Sequence, residues 1–510
     1  MSNPISRREL FGLAAAASAL TPAALAASTD TSSELIFMSA KKLAALIRTK
    51  KISALEAVNA YIARQISVND KLNAVVMNCF DRALLEAKAL DAKAARGEFA
   101  GPLHGVPMTI KDSLDTEGVI STGATVGRQQ YVPAKDATVV ARVRKAGAVL
   151  LGKTNTPEFT LGGLAGISTA SNLLYGGSHN PYDLTRSTAG SSGGAGAVVA
   201  AGLAAFDIGS DWGGSIRGPS HNNGIVGIKP TSVRVPRTGH IVDYGGIFDL
   251  WQQLGPMCRR VEDIELITPI ISGPDFRDAS CAPAPWLDPA AVNLKKLRVA
   301  FITDNGATGR NATEADTKKT VLQVAKWLEG NVASVTEDAP TKVLMDLAEA
   351  RRKLSQGDGG AFYQRLADKW GTHNISPSRK RTMETATPLS SAEMVQAWEQ
   401  QDECKSRMLA WMTSYDVFIC PVNAKPAQPI DVEGGAGGGG GGGGPESGWP
   451  YTGVFNCTGW PVTVVRAGSS ADGKLPIGVQ IVAAPWREDI TLAVAGFVEA
   501  RGGGWRKPPV

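Results

Sequence analysis

Two serine–glycine segments place Ser191 and Ser215 24 residues apart, and a lysine precedes both. They read Ser187-Thr-Ala-Gly-Ser191-Ser192-Gly-Gly194 and Gly209-Ser-Asp211-Trp-Gly-Gly-Ser215-Ile-Arg217, with Gly105-Val-Pro-Met-Thr-Ile-Lys111-Asp112 upstream. These residue types suffice for nucleophilic catalysis without histidine. A serine hydroxyl attacks poorly until a base takes its proton, and lysine can be that base only when neutral. Its ordinary pKa, about 10.4, must therefore fall toward about 7 to 8 through burial and nearby positive potential. Lys111 ends the apolar run from Val106 to Ile110, so burial is expected there. The glycines serve a separate end: consecutive N–H groups converge on one point only where side chains do not obstruct them.

Taken singly, each segment has a plainer reading. Ser/Gly stretches are commonly turns, the glycine-rich run after Ser192 could be an anion-binding helix N-terminus, and Lys111 could be a surface cation paired with Asp112. Together, in this order and spacing, they resemble the amidase signature family. Gly255-Pro-Met257, Phe455-Asn-Cys-Thr-Gly-Trp-Pro461, Leu475-Pro-Ile-Gly-Val-Gln-Ile-Val482 and Ala484-Pro-Trp-Arg-Glu-Asp489 are similar to that family's C-terminal elements.

The resemblance implies a role for each residue. Ser215 corresponds to the acylated nucleophile, Ser191 to a serine on a cis peptide that relays the proton, and Lys111 to the final base. The backbone amides of Trp212, Gly213, Gly214 and Ser215 correspond to the oxyanion hole, with Ser192, Asp211 and Arg217 around them. The implied reaction converts a small-molecule carboxylic amide to a carboxylate plus ammonia or amine, with no cofactor and no metal. Two positions depart from the pattern: Ala189 stands where glycine is frequent, and Trp212 where the residue is usually small, aliphatic or threonine. With Trp251, Trp449, Tyr451 and Trp460, Trp212 forms either an aromatic-lined site or part of the core.

Other chemistries are less well served. Gly190-Ser-Ser192-Gly-Gly194 fits the G-x-S-x-G elbow of Ser-His-Asp hydrolases, but that motif needs a strand leading into Ser192, and Asn180 to Thr188 reads as turns. The five histidines, His104, His179, His221, His240 and His373, lack metal-ligand spacing and read as structural or pocket-lining. Two further readings use the same signature: a glutaminase resembling the ammonia-releasing subunit of the tRNA-dependent amidotransferase, and a non-catalytic amide-binding protein.

At 510 residues, 43% hydrophobic and 20% charged, the chain can bury a large core. A net charge of +5 is slight for that length and points to neither a nucleic-acid nor a membrane partner; a monomer or homodimer is expected. Residues 1–26 read as a twin-arginine signal, with Arg7-Arg8, an alanine-rich stretch and Ala24-Leu-Ala26, implying export of a folded protein to the periplasm or medium. Six scattered cysteines argue against a disulfide scaffold.

Residues 27–510 read as one α/β domain, a mixed, mostly parallel sheet with helices on both faces; the alternation supplies the class and the resemblance the single large sheet. Ser53-Ala-Leu-Glu56 is a capping box opening a helix with Leu55, Val58, Ile62 and Ile66 on its apolar face. Helices are expected over 136–146 and 194–201, and strands over 148–152, 203–208 and 297–302. The run 434–444, ten glycines and Ala436, reads as a flexible loop, either over the pocket or as a tolerated surface insertion.

Overall fold

The computed structural model describes residues 34–164, 167–242, 246–430 and 448–510. The expected leader (1–26) and glycine loop (434–444) lie outside the described residues.

Eleven strands form the main sheet: β1 (Val75–Asn78), β2 (Pro107–Lys111), β3 (Val149–Thr154), β4 (Phe206–Asp211), β5 (Val226–Lys229), β6 (Gln253–Cys258), β7 (Arg298–Phe301), β8 (Ser334–Glu337), β9 (Val417–Pro421), β10 (Val462–Ser469) and β11 (Pro476–Val482). Their spatial order is β1, β3, β2, β4, β6, β5, β10, β11, β9, β7, β8. The sheet is mixed, and its parallel pairs fall in two blocks, β3–β2–β4 and β9–β7–β8. The other ladders among the described strands are antiparallel. Strands β2 to β6 and β9 are buried along their whole length, as strands covered on both faces must be.

The capping box forms as expected. Ser53 Oγ accepts from Glu56 N–H at 3.0 Å, and the Glu56 carboxylate accepts from Ser53 N–H at 2.7 Å, opening the helix Ala54–Leu72. Its buried face, however, runs through Ala54, Val58, Tyr61, Gln65 and Leu72, while Ile66 is 68% exposed. The small side chains of Ala54 and Ala57 are fully buried, and Gln65 joins them because its Nε2 donates to the Leu203 carbonyl at 2.9 Å. A polar residue with a partner thus displaced an apolar one from the face.

Other expected elements form with shifted ends: helices Thr138–Lys145 and Gly193–Ala200, and strands β3, β4 and β7. β4 begins three residues later than expected, because Leu203 N–H still bonds back to the Val198 carbonyl of the preceding helix. The approach to Ser191 also differs from the turns expected, since Asp183–Ser187 is a short strand paired with His179–Asn180.

The parallel block sets the site. β2, β3 and β4 run side by side, so Lys111, Thr154 and Asp211 come together at their carboxyl ends, where open α/β sheets offer a crevice. No helix among the described residues is long and apolar enough to cross a membrane.

Candidate active site

Lys111 is fully buried at the end of β2. Its Nζ donates to three hydroxyls, Ser191 Oγ at 2.6 Å, Ser210 Oγ at 2.9 Å and Ser192 Oγ at 3.0 Å. Burial pushes its pKa down to about 7, against the opposing pull of the Asp211 and Asp207 carboxylates. The positive potential expected to assist is therefore absent from the balance, and desolvation does the lowering. Asp112 makes no pair with Lys111 and instead accepts from Thr122 N–H and Oγ1.

Ser191 follows a cis Gly190–Ser191 peptide, as the resemblance implied. Ala189, two residues earlier, has φ +58°, the left-handed region that glycine occupies without strain. Ser192 Oγ also bonds to the Ser210 carbonyl, and Ser192 N–H donates to the Ser215 carbonyl at 3.1 Å. That bond ties the two serine segments together. No hydrogen bond among the described residues joins the Ser191 and Ser215 hydroxyls; Ser191 is buried, while Ser215 is partly open to solvent.

The turn after β4 is held from inside by Asp211. Its carboxylate accepts from Gly214 N–H at 2.8 Å, Ile216 N–H at 3.1 Å and Asn456 Nδ2 at 2.8 Å, and binds Arg217 through Nε at 3.0 Å and Nη2 at 2.9 Å. Burial alone would raise this acid, but Arg217 and the hydrogen bonds outweigh it and keep the carboxyl well below the usual range. Both ion-pair partners are 0% exposed, and Arg217 continues to the Thr452 carbonyl and Gln480 Oε1.

Of the four amides expected to face an oxyanion, that of Gly214 is thus already engaged by Asp211. The N–H groups of Gly213 and Ser215 meet no acceptor among the described residues. Gly214, at φ +122°, is where the backbone reverses.

The elbow reading of Ser192 does not hold, although a strand does lead toward it. The Ser192 hydroxyl bonds to Lys111 and Ser210, and His221 is buried between the backbone of Gly478 and Lys425.

Sequence reasoning missed four members of the site. Ser210 is the third hydroxyl on Lys111, and its position directly before Asp211 was the available signal. Asp207 accepts from Thr109 Oγ1 at 2.6 Å and Thr154 Oγ1 at 3.1 Å, and burial pushes it up to about 7. Asn456, a polar residue inside an apolar stretch, braces Asp211. Arg351 comes from the distant helix Thr341–Gln356 and carried no local signal.

A narrow cleft of about 60 Å³ adjoins the turn through Trp212, with Lys111, Ser191 and Ser215 outside its described lining. Its apolar lining includes Leu161, Trp212, Val242, Phe362, Tyr363 and Met383, so Trp212 belongs to both turn and cleft. Trp449, Trp460 and Tyr451 lie in the core instead, at 0%, 1% and 5% exposure.

A family model described as Amidase matches residues 56–492. The chain is 31% identical over 504 residues to fatty-acid amide hydrolase 2 of Homo sapiens, covering 93% of this chain and 91% of that protein. It is 33% identical over 495 residues to a glutamyl-tRNA(Gln) amidotransferase subunit of Carboxydothermus hydrogenoformans, covering 91% and 97%. The structure of 6-aminohexanoate cyclic dimer hydrolase complexed with substrate superposes with a TM-score of 0.78 at 28% identity, covering 91% of this chain and 97% of that one. With the family model matched over most of its length and the whole fold shared, the chain belongs to the amidase signature family and is a hydrolase of amides.

Proposed function

We propose that this amidase works through a Ser215 acyl-enzyme with Ser191 and Lys111 as the proton relay. The observation that carries the reading is a fully buried lysine, its pKa lowered to about 7, set 2.6 Å from Ser191. A neutral amine has two N–H groups and one lone pair, so among its three serine neighbours two hydroxyls accept and one must donate. Ser192 Oγ already donates to the Ser210 carbonyl, and in the neutral form we assign the reversed bond, hydroxyl to amine lone pair, to Ser191 at 2.6 Å. Ser191 passes its proton to Lys111 and takes one from Ser215, whose oxygen attacks the amide carbon. The carbonyl oxygen gains charge against Gly213 and Ser215 N–H. As the tetrahedral intermediate collapses, the C–N bond breaks and Ser191 returns a proton to the leaving nitrogen. Water then repeats the sequence, releasing the carboxylate and freeing Ser215.

The apolar lining of the cleft beside Trp212 favours an apolar acyl group. That weighs against the glutaminase reading, which the similarity to an amidotransferase component keeps open. The twin-arginine pattern of residues 6–12 supports action outside the cytoplasm.

The test compares the wild type with Ser215→Ala. Wild-type enzyme should release ammonia or amine from apolar amides and take up a fluorophosphonate, and Ser215→Ala should do neither. Undiminished turnover by the variant would overturn the assignment. Faster release from glutamine than from any apolar amide would favour the second reading.

A further inference from the structure

Arg351 is a buried cation that the mechanism above leaves unused. It is 8% exposed, and among the described residues no carboxylate pairs with it. The titratable groups that act on it are the buried Cys457 thiol and the Arg217–Asp211 pair, whose two members already bind each other. Its Nε has no hydrogen-bond partner among the described residues. An unpaired buried charge is costly, so some other term must hold it there.

Its surroundings supply that term. The guanidinium carbon lies 4.7 Å from the centroid of the Trp212 ring and 5.3 Å from that of Trp251, and Nη2 donates to the Trp212 carbonyl at 3.3 Å. It also fills the space left by two glycines: a Cβ on Gly213 would stand 2.7 Å from Nη2, and one on Gly453 would stand 3.2 Å from Nε. The Trp212 carbonyl and the Gly213 N–H belong to one peptide group. A cation on the carbonyl oxygen polarises that group and strengthens its N–H as a donor. Around the turn, Arg217 and the buried Lys229 act on the Asp211 carboxylate and Arg351 lies within its field as well, so the turn presents positive potential to a developing oxyanion.

We propose that Arg351 is a positioning residue for the oxyanion turn: it fixes the Trp212–Gly213 peptide and charges it for the transition state. The proposal rests on the Ser215 reading, and the experiment separates the two. Wild type, Arg351→Met and Arg351→Lys are titrated with a fluorophosphonate to count competent sites, and kcat and KM are measured per titrated site on an acyl p-nitroanilide that the wild type cleaves. Arg351→Met should lose about tenfold or more in kcat with KM within about twofold. Arg351→Lys, which keeps the charge, should stay within about threefold of wild type. Because Arg351 is not among the groups acting on Lys111, the midpoint of the pH–rate profile should not move.

An unchanged kcat per titrated site would mean that Arg351 serves folding alone. A raised KM at constant kcat would make it a substrate-binding group, and a moved pH midpoint would make it a modulator of the base. Each of these overturns the proposal. Failure of wild-type Ser215 to take up the fluorophosphonate would instead overturn the Ser215 reading.

Discussion

Replacing Lys111 by methionine should abolish turnover and, in acid, stabilise the fold. The folded chain holds this lysine at about 7 against 10.5 for the free side chain. At about 1.36 kcal/mol per pKa unit, the charged form carries a penalty of about 5 kcal/mol. The sign follows from proton counts. Between the two values the unfolded chain binds more protons than the folded one, so stability rises with pH across that window and the penalty is complete below it. Linkage gives a destabilisation of about 5 kcal/mol at pH 6 and about 2 kcal/mol at pH 9.

Methionine removes this term. It also strands three serine hydroxyls, but that loss does not depend on pH and cancels between the two conditions. The gain over wild type should therefore be about 3 kcal/mol larger at pH 6 than at pH 9, read from urea unfolding followed by tryptophan fluorescence. A difference below about 1 kcal/mol, or of opposite sign, would refute the claim that burial keeps Lys111 neutral.

Asp211→Asn should leave Arg217 charged and buried without its partner, destabilising the protein by about 3–5 kcal/mol; urea unfolding within about 1 kcal/mol of wild type would contradict this. Ala189→Gly relieves a left-handed alanine worth about 1–2 kcal/mol and loses one buried methyl worth about 0.8 kcal/mol. The net gain should be below about 1 kcal/mol, with activity retained, and a loss of stability would count against the strain at φ +58°. Trp212→Ala should widen the cleft at the wall that Trp212 forms and shift the ratio of kcat/KM for a bulky aryl-acyl amide over acetamide by about tenfold or more toward the bulky substrate. An unchanged ratio would remove Trp212 from the specificity of the enzyme.

The candidate site was legible in the sequence because it lies in three short segments. Lys111 at the end of an apolar run, and glycines around Ser191 and Ser215, are local patterns, and the structure joins Lys111 to Ser191 directly while linking the two serine segments through the Ser192–Ser215 bond. What escaped notice depends on pairing across long separations. Arg351 reaches the turn from 139 residues away and Asn456 from 245, and no local pattern announces either contact. The engagement of Gly214 by Asp211 is local, yet it depends on the turn's dihedral angles rather than on residue type. Strand direction was similarly hidden: β4 and β6 pair antiparallel although 41 residues separate their ends, so the alternation could supply the α/β class and the resemblance a mixed sheet, but neither apportioned its ladders. Ile66 shows the same limit on a helix, where Gln65 won the buried side through a backbone carbonyl on another element.

The central claim, that Ser215 is the nucleophile served by Ser191 and neutral Lys111, is tested most directly by mass-spectrometric mapping of the fluorophosphonate adduct across pH. The account predicts a single adduct on the peptide containing Ser215, formed at a rate that rises with pH about a midpoint near 7 and vanishes in Lys111→Met. An adduct on Ser191 or Ser192, or labelling of Ser215 at a rate flat from acid to alkaline pH, would contradict it.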